Sequence, residues 1–202
     1  MLKRFEEHLN LDATIAKDLF ENCNYPWEVL PKIKEFIMGL IPNLGDEYEE
    51  VDENVYVHKE AKVAKSACIV GPTIICKGAE IRHCAYIRGS VIVGEKSVIG
   101  NSTEVKNAII FNNVQCPHYN YVGDSILGEY AHTGAGVILS NFKSDGSNVK
   151  VRDNGEEIET LLSYDLLINK YNVSKTPKSF NNRVGIVKGI NEEVKEYDRY
   201  FI

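Results

Sequence analysis

Val57, Val63, Ile69, Ile75, Ile81, Ile87, Val93, Ile99 and Val105 occupy every sixth position of a 202-residue chain, nine times without a slip. Four residues after each comes a second series, Ala61, Ala67, Thr73, Ala79, Ala85, Val91, Ser97, Thr103 and Ile109, most of them small. On an α-helix, residues six apart point to nearly opposite sides, so no single helical face collects this pattern. Short strands separated by turns do collect it, with two inward residues per hexad. One such strand cannot close a core alone. Stacked coils can, because each pairs its backbone with the next and lines the interior with one branched and one small side chain. With three hexads to a coil, nine hexads make about three coils. The spacing predicts a parallel β-helix over 55–139 with the Val57 to Val105 series inside. Ordinary hairpins would need turn signals at intervals of about 8 to 12 residues, which this stretch lacks.

The first fifty residues have a different period. Asp12 stands where it can cap a short helix carrying Ile15, Ala16, Leu19 and Phe20. Pro26 interrupts, Pro31 suits a first helical turn, and Ile33, Phe36, Ile37, Leu40 and Ile41 then fall on one helical face. That apolar face is expected to dock on the rest of the chain or on a neighbouring subunit. The expected organisation is a helical segment at 1–50, a hexapeptide-repeat β-helix at 51–141, and a loop with an irregular or helical tail at 142–202. Within that tail, Tyr164 to Ile168 is the helical candidate.

Composition narrows the function classes. The chain is 44% hydrophobic and 26% charged, an ordinary balance for a folded protein. Its 23 basic and 29 acidic residues leave a formal charge of -6, which disfavours phosphate-backbone binding, so nucleic acid is not an expected partner. No apolar run approaches the ~20 residues a membrane span needs, and MLKRFEEHLN has no apolar signal core. A soluble, cytoplasmic protein without a membrane partner is expected. Cys23, Cys68, Cys76, Cys84 and Cys116 are odd in number and include no CxxC pair, so reduced thiols are expected.

The hexads resemble the left-handed parallel β-helix of the acyltransferase and sugar-nucleotide enzyme superfamily. The left hand is implied by the resemblance, because the general rule for parallel crossovers gives the right hand. From Ala85 the likeness is closer. IGNSTEVKN, PHYNYVGDSILG, and GAG followed by SN resemble the acetyltransferase domain of bifunctional N-acetylglucosamine-1-phosphate uridyltransferases, in the order and spacing of that family. That family's companion pyrophosphorylase domain opens on a glycine-rich nucleotide loop, and residues 1–56 contain none, so uridyl transfer is not expected of this chain.

The resemblance implies an acetyl-CoA-dependent N-acetyltransferase of nucleotide-sugar metabolism, acting on an amino-sugar 1-phosphate of the glucosamine-1-phosphate type. No metal is required. Acetyl transfer to an amine needs a base of near-neutral pKa to take the ammonium proton, and His118, in PHYNY, matches the family's base. Arg88 and Lys106 match two cationic contacts to the sugar phosphate, a guanidinium fork beside an ammonium. Tyr121 and Asn141 match positions that touch phosphate and sugar. Ala135, between Gly134 and Gly136, matches a segment near the acetyl group, where glycines allow close backbone approach. A homotrimer with active sites between neighbouring solenoids is also implied.

Two positions depart from the family. His132 stands where an asparagine touches the sugar, and Phe142 where a tyrosine stands. In that family hexads resume after the loop and build the coils that hold coenzyme A; after the SNFKSDGSNVKVRDNGEEIE loop here, residues 161–202 show no six-residue period, so those coils are expected to be replaced or absent. Three further readings therefore stay open. One is a catalytically impaired sugar-phosphate or sugar-nucleotide binding or regulatory module, and another a purely structural trimer. The third is a metal hydrolyase of the gamma carbonic anhydrase type, for which His83 and His118 have suitable spacing but Gly123 occupies the third ligand position.

Overall fold

The structure, a computed structural model, describes residues 9–139, 150–153, 156–159, 166–168 and 172–173. The hexads form short strands that stack in parallel on three faces, giving a solenoid of about five turns. On face A, Val55–His58, Thr73–Ile75 and Val91–Val93 are followed by Ala108, Ile109 and Ile110, then by Ser125, Ile126 and Leu127. Face B carries Lys62–Val63, Glu80–Ile81, Val98–Asn101, Gln115–His118 and His132–Thr133. Face C carries Cys68–Ile69, Tyr86–Ile87, Glu104 with Val105, Tyr121 with Val122, and Ile138–Leu139. One antiparallel strand, Tyr48–Asp52, edges Val55–His58.

Interior ladders run the length of the solenoid. On face B, Val63, Ile81, Ile99 and Cys116 lie in register, and Thr133 continues the line one rung on. From Ile75 to Val105 the six-residue series is fully buried. Its first three members are not, because no coil lies beneath them: Val63 is 41% exposed. From the second coil on, the corners hold residues in the left-handed region, among them Lys96, Asn113 and Tyr130 on one edge and Cys84, Ser102 and Tyr119 on another. These positions spend backbone energy to turn the chain, since only glycine adopts positive φ without cost.

The period shortens after Val105. Thr73 pairs with Val91, 18 residues on, whereas Val91 pairs with Ala108, 17 on. The corner between faces C and A holds Arg88, Gly89 and Ser90 in one coil but only Lys106 and Asn107 in the next. Asn107 takes φ 47° to make the tighter turn. Ile110, not a residue six after Val105, therefore joins Ile75 and Val93 on the inward ladder. Ile109, expected inside, aligns instead with Ile74 and Ile92 on the opposite side of the pleat.

That outward ladder is still fully buried, because the N-terminal segment covers it. The α-helix Ile33–Leu40 lies against Val91–Val93 and Glu104–Ile110, and Pro26–Lys32 against Tyr121–Leu127. Phe20 meets Phe111 edge to face at 6.0 Å. The Asn112 amide donates to the Ala13 carbonyl at 2.9 Å, tying segment and solenoid through the backbone. Each isoleucine so covered is worth about 1.5–3 kcal/mol. The first expected helix is a pair of 3-10 turns, Leu11–Ala13 and Lys17–Phe20. Asp12 caps nothing there; its carboxylate pairs with Lys17.

The solenoid also resumes beyond the loop. Leu166–Ile168 pairs in parallel with Ser125, Ile126 and Leu127, and Asn172–Val173 with His132 and Thr133. Ser125 and Leu166 are 41 residues apart, so the insertion hides a further coil from any reading by period. Leu166–Ile168 is thus a strand, not the expected helix. An antiparallel pair, Lys150–Asp153 with Glu156–Glu159, lies within the insertion.

Candidate active site

The three-face geometry decides which of the predicted residues can meet. Face C is bounded on one edge by the corner that carries His118 and on the other by the corner that carries Arg88 and Lys106. Its strands are short, so the two edges are only about 10 Å apart at ~3.3 Å per residue.

Arg88 and Lys106 sit on consecutive coils, about 4.8 Å apart along the stacking direction. The Arg88 Nη1 donates to Glu104 Oε1 at 2.7 Å. This hydrogen bond raises the guanidinium above its ordinary value, with the Glu104 charge adding to it, so Arg88 stays a cation. Lys106 Nζ lies 3.7 Å from Asp124 Oδ2, while Asn107 Nδ2 donates to Asp124 Oδ1 at 2.8 Å. Asp124 is buried, and its φ of 44° lets its side chain reach back to the coil below. The Tyr121 ring folds over Gly123: a Cβ at Gly123 would lie 2.7 Å from Tyr121 Cε1 and 2.8 Å from its hydroxyl. The phenol is thereby carried towards the Arg88 and Lys106 edge, and Tyr121 contributes electrostatically at Arg88.

His118 ends the strand Gln115–His118 on the other edge, with an exposed side chain. Among the described residues its ring has no hydrogen-bond partner. Its backbone is held on both sides, since its N–H donates to Asn120 Oδ1 at 3.3 Å and its carbonyl accepts from the Gly136 amide at 3.2 Å. Ala135 is exposed in the turn one coil above, so the structure brings His118 and Ala135 together. His132 begins the strand His132–Thr133 on face B, in register with Gln115, and so stands round the corner from Arg88, Lys106 and Tyr121. Asn141 and Phe142 lie outside the described residues.

Sequence reasoning passed over Glu104, Asp124 and Asn120, and noted Gly123 only as a missing ligand. The coil repeat was the available signal, because Glu104 is in register with Tyr86 and Tyr121, and Lys106 with Gly123. Buried thiols take no part: desolvation pushes Cys76 and Cys116 up to about 12, which leaves them protonated at neutral pH. No cluster of three or more His, Cys, Asp or Glu side chains suited to a metal ion occurs among the described residues.

Residues 69–158 match the family model described as the GMPPB C-terminal domain. The chain is 31% identical over 170 residues to the bifunctional protein GlmU of Methanococcus maripaludis, covering 83% of this chain and 41% of that protein. It is 35% identical over 142 residues to GlmU of Methanocaldococcus jannaschii, covering 67% of this chain and 34% of that protein. A bifunctional sugar-1-phosphate nucleotidylyltransferase/acetyltransferase of Sulfurisphaera tokodaii is 34% identical over 139 residues, covering 67% of this chain and 35% of that protein. These relatives match the chain at about 30% identity over their acetyltransferase region. The chain spans about two fifths of the length of the first of these relatives, 41%. Among solved structures, the acetyltransferase domain of PglB from Neisseria gonorrhoeae aligns at a TM-score of 0.32 and 16% identity, over 61% of this chain and 67% of that one. Among the described residues no helix is long and apolar enough to cross a membrane.

Proposed function

We propose that this chain is an acetyl-CoA-dependent N-acetyltransferase acting on an amino-sugar 1-phosphate. The observation that carries this reading is face C itself, which has two cations and a phenol along one edge and an exposed imidazole along the other. In a hexosamine 1-phosphate the amine and the phosphate sit on adjacent ring carbons. A single sugar can therefore reach both edges once the long Arg88 and Lys106 side chains close on the phosphate.

In this reading His118 removes a proton from the ammonium as nitrogen attacks the thioester carbonyl. The N–C bond forms, the C–S bond breaks, and coenzyme A leaves as a thiolate that takes up the second proton lost by the attacking nitrogen, His118 holding the first. Arg88 and Lys106 bind the phosphate with charge-assisted hydrogen bonds, and Tyr121 adds a neutral one. Glu104 and Asp124 hold the two cations in place before substrate arrives. The further coil at Leu166–Ile168 and Asn172–Val173 supports the acetyl-CoA reading, because it extends the solenoid past Ala135. Remote binding of so long a cofactor is the source of energy that positions its reacting carbon.

The assembly proposed with it is a homotrimer. The N-terminal segment already covers face A, whereas Tyr86 and Ile138 on face C and Val70 and Tyr119 at its edges are large, apolar and exposed. A second copy over that face would bury them and enclose the site. Light scattering should give about three times the chain mass at micromolar concentration; a monomer would count against the shared site.

The deciding assay is thiol release from acetyl-CoA with glucosamine-1-phosphate and with galactosamine-1-phosphate. Release with either supports acetyl transfer and names the sugar. That the His118 ring has no hydrogen-bond partner among the described residues favours the alternative, a module that binds a sugar phosphate without acetylating it. Calorimetric binding of the sugar phosphate without thiol release would establish that alternative.

A further inference from the structure

Asn120 is polar, 3% exposed, and not a group that touches substrate in the reading above. All four of its hydrogen-bonding groups are used, and each reaches a different part of the site. Its Oδ1 accepts from the His118 amide at 3.3 Å, and its Nδ2 donates to the Gly134 carbonyl at 2.7 Å. Its own N–H donates to Thr103 Oγ1 at 3.3 Å, and Thr103 Oγ1 donates to the Cys116 carbonyl at 3.2 Å. Its carbonyl accepts from the Glu104 amide at 2.8 Å. One buried residue thus ties the His118 strand to the coil below, through Thr103 and Glu104, and to the coil above, through Gly134.

The His118 ring has no side-chain orienter among the described residues, whereas a catalytic base ordinarily has one. Among the described residues, its direction is set by its backbone. That backbone sits at a corner where Tyr119 is held at φ 50°, a conformation unfavourable for a bulky side chain that persists only when its surroundings impose it. We propose that Asn120 is a positioning residue: its amide locks the His118 backbone to the Gly134–Gly136 turn and so aims the imidazole at the site beneath Ala135. The inference rests on His118 acting as the base. The amide side chain supplies both an acceptor to His118 and a donor to Gly134 from one position. Alanine supplies neither, and aspartate supplies the acceptor alone.

The test uses the full chain with Asn120→Ala and Asn120→Asp. Hydrogen exchange is followed for peptides spanning 117–121 and 133–137, with 80–87 as an internal reference. In Asn120→Ala both site peptides should exchange at least about tenfold faster, while the reference is unchanged. Asn120→Asp should loosen 133–137 more than 117–121. In the acetyl-transfer assay, kcat per folded molecule should fall about 100-fold, the scale expected of a misplacement near 1 Å, with KM for the sugar phosphate within about twofold of the parent. Unchanged exchange at 117–121 in Asn120→Ala would overturn the proposal. So would faster exchange with an unchanged kcat, which would make Asn120 merely structural. Should Asn120→Ala not fold, Asn120→Asp decides alone, and unchanged exchange at 133–137 or an unchanged kcat overturns the proposal. A parent chain without transferase activity sinks the acetyltransferase reading, and the exchange arm still judges the clamp.

Discussion

The first coil and the coils from Val105 to Leu127 make opposite use of the same repeat. Val57, Val63 and Ile69 keep perfect six-residue spacing, yet they line an uncovered end and bear no candidate chemistry. Beyond Val105 the spacing slips by one residue, the interior is fully buried, and Lys106, Asp124, Tyr121 and His118 all lie there. Regularity therefore reports how the chain stacks, and the slip marks the coils that carry most of the candidate site, with Arg88 on the regular coil just before it. The shortened corner makes the point physically. It removes one residue between Val105 and Ala108, and the left-handed turns at Asn107 and Asp124 stack Asn107 directly beneath the Asp124 carboxylate.

The largest effect that can break this contrast is a charge placed on two rungs of one ladder. Val63 and Ile81 are direct register partners on face B, but one is half open to water and the other is 1% exposed. Ile81→Asp should abolish folding, because an unpaired buried carboxylate costs several kcal/mol against a marginal total stability. Val63→Asp should leave a folded chain with a midpoint only a few degrees lower by circular dichroism. If both variants unfold alike, the first coil is covered in solution and the contrast is lost.

Next in size is the separation of the two edges of face C. His118→Ala should lower kcat by about 100 to 10,000 fold, the range for loss of a general base. Arg88→Ala should chiefly raise KM for the sugar phosphate, by about 10 to 100 fold for a charge-assisted contact of about 1.5–3 kcal/mol. Steady-state kinetics of the two variants tests this directly. If His118→Ala acts on KM alone, the imidazole is a binding group.

Most of the solenoid was legible because a period of six admits so few folds. The slip at Val105 was not, for a definite reason. Ile109 and Ile110 are both buried, one beneath the N-terminal segment and one inside the coil, so polarity cannot say which faces in. The further coil was hidden by an insertion that separates Ser125 from Leu166, and its strands are only three and two residues long. At the site, Arg88, Lys106, Tyr121 and His118 could be matched by motif. Their supports could not, since Glu104 and Asp124 read as surface acids until coil register sets them beside Arg88 and Lys106.

A smaller effect tests the irregular region from within. Gly123 leaves room for the Tyr121 ring, and an added methyl group would sit 2.7 Å from Tyr121 Cε1. Gly123→Ala should displace the phenol from the Arg88 edge at little cost in stability, since the ring end can swing away. KM for the sugar phosphate should rise about 2 to 10 fold, the worth of one neutral hydrogen bond of about 0.5–1.5 kcal/mol. An unchanged KM would remove Tyr121 from the phosphate site.

The smallest effect compares two thiols on the same contrast. Cys68 is exposed in the first coil, while Cys116 continues the Val63, Ile81, Ile99 ladder and is fully buried. Burial raises Cys116 from 9.0 to about 12, with the Thr133 hydroxyl partly opposing, and burial does the same for Cys76. Native chain at pH 8 should therefore be alkylated readily at Cys68, with Cys76 and Cys116 modified only after unfolding. The sign of the pH effect follows from linkage. Above pH 9 an unfolded thiol loses a proton that the folded one keeps, so the unfolded state binds fewer protons and stability falls as pH rises. The contribution is fully present below pH 9 and is lost progressively between about 9 and 12. In urea titrations across that window, Cys116→Ala should lose stability with pH less steeply than the parent chain. Equal slopes would mean that Cys116 is not held in a dry interior, and the difference between the two ends of the ladder would be smaller than its burial indicates.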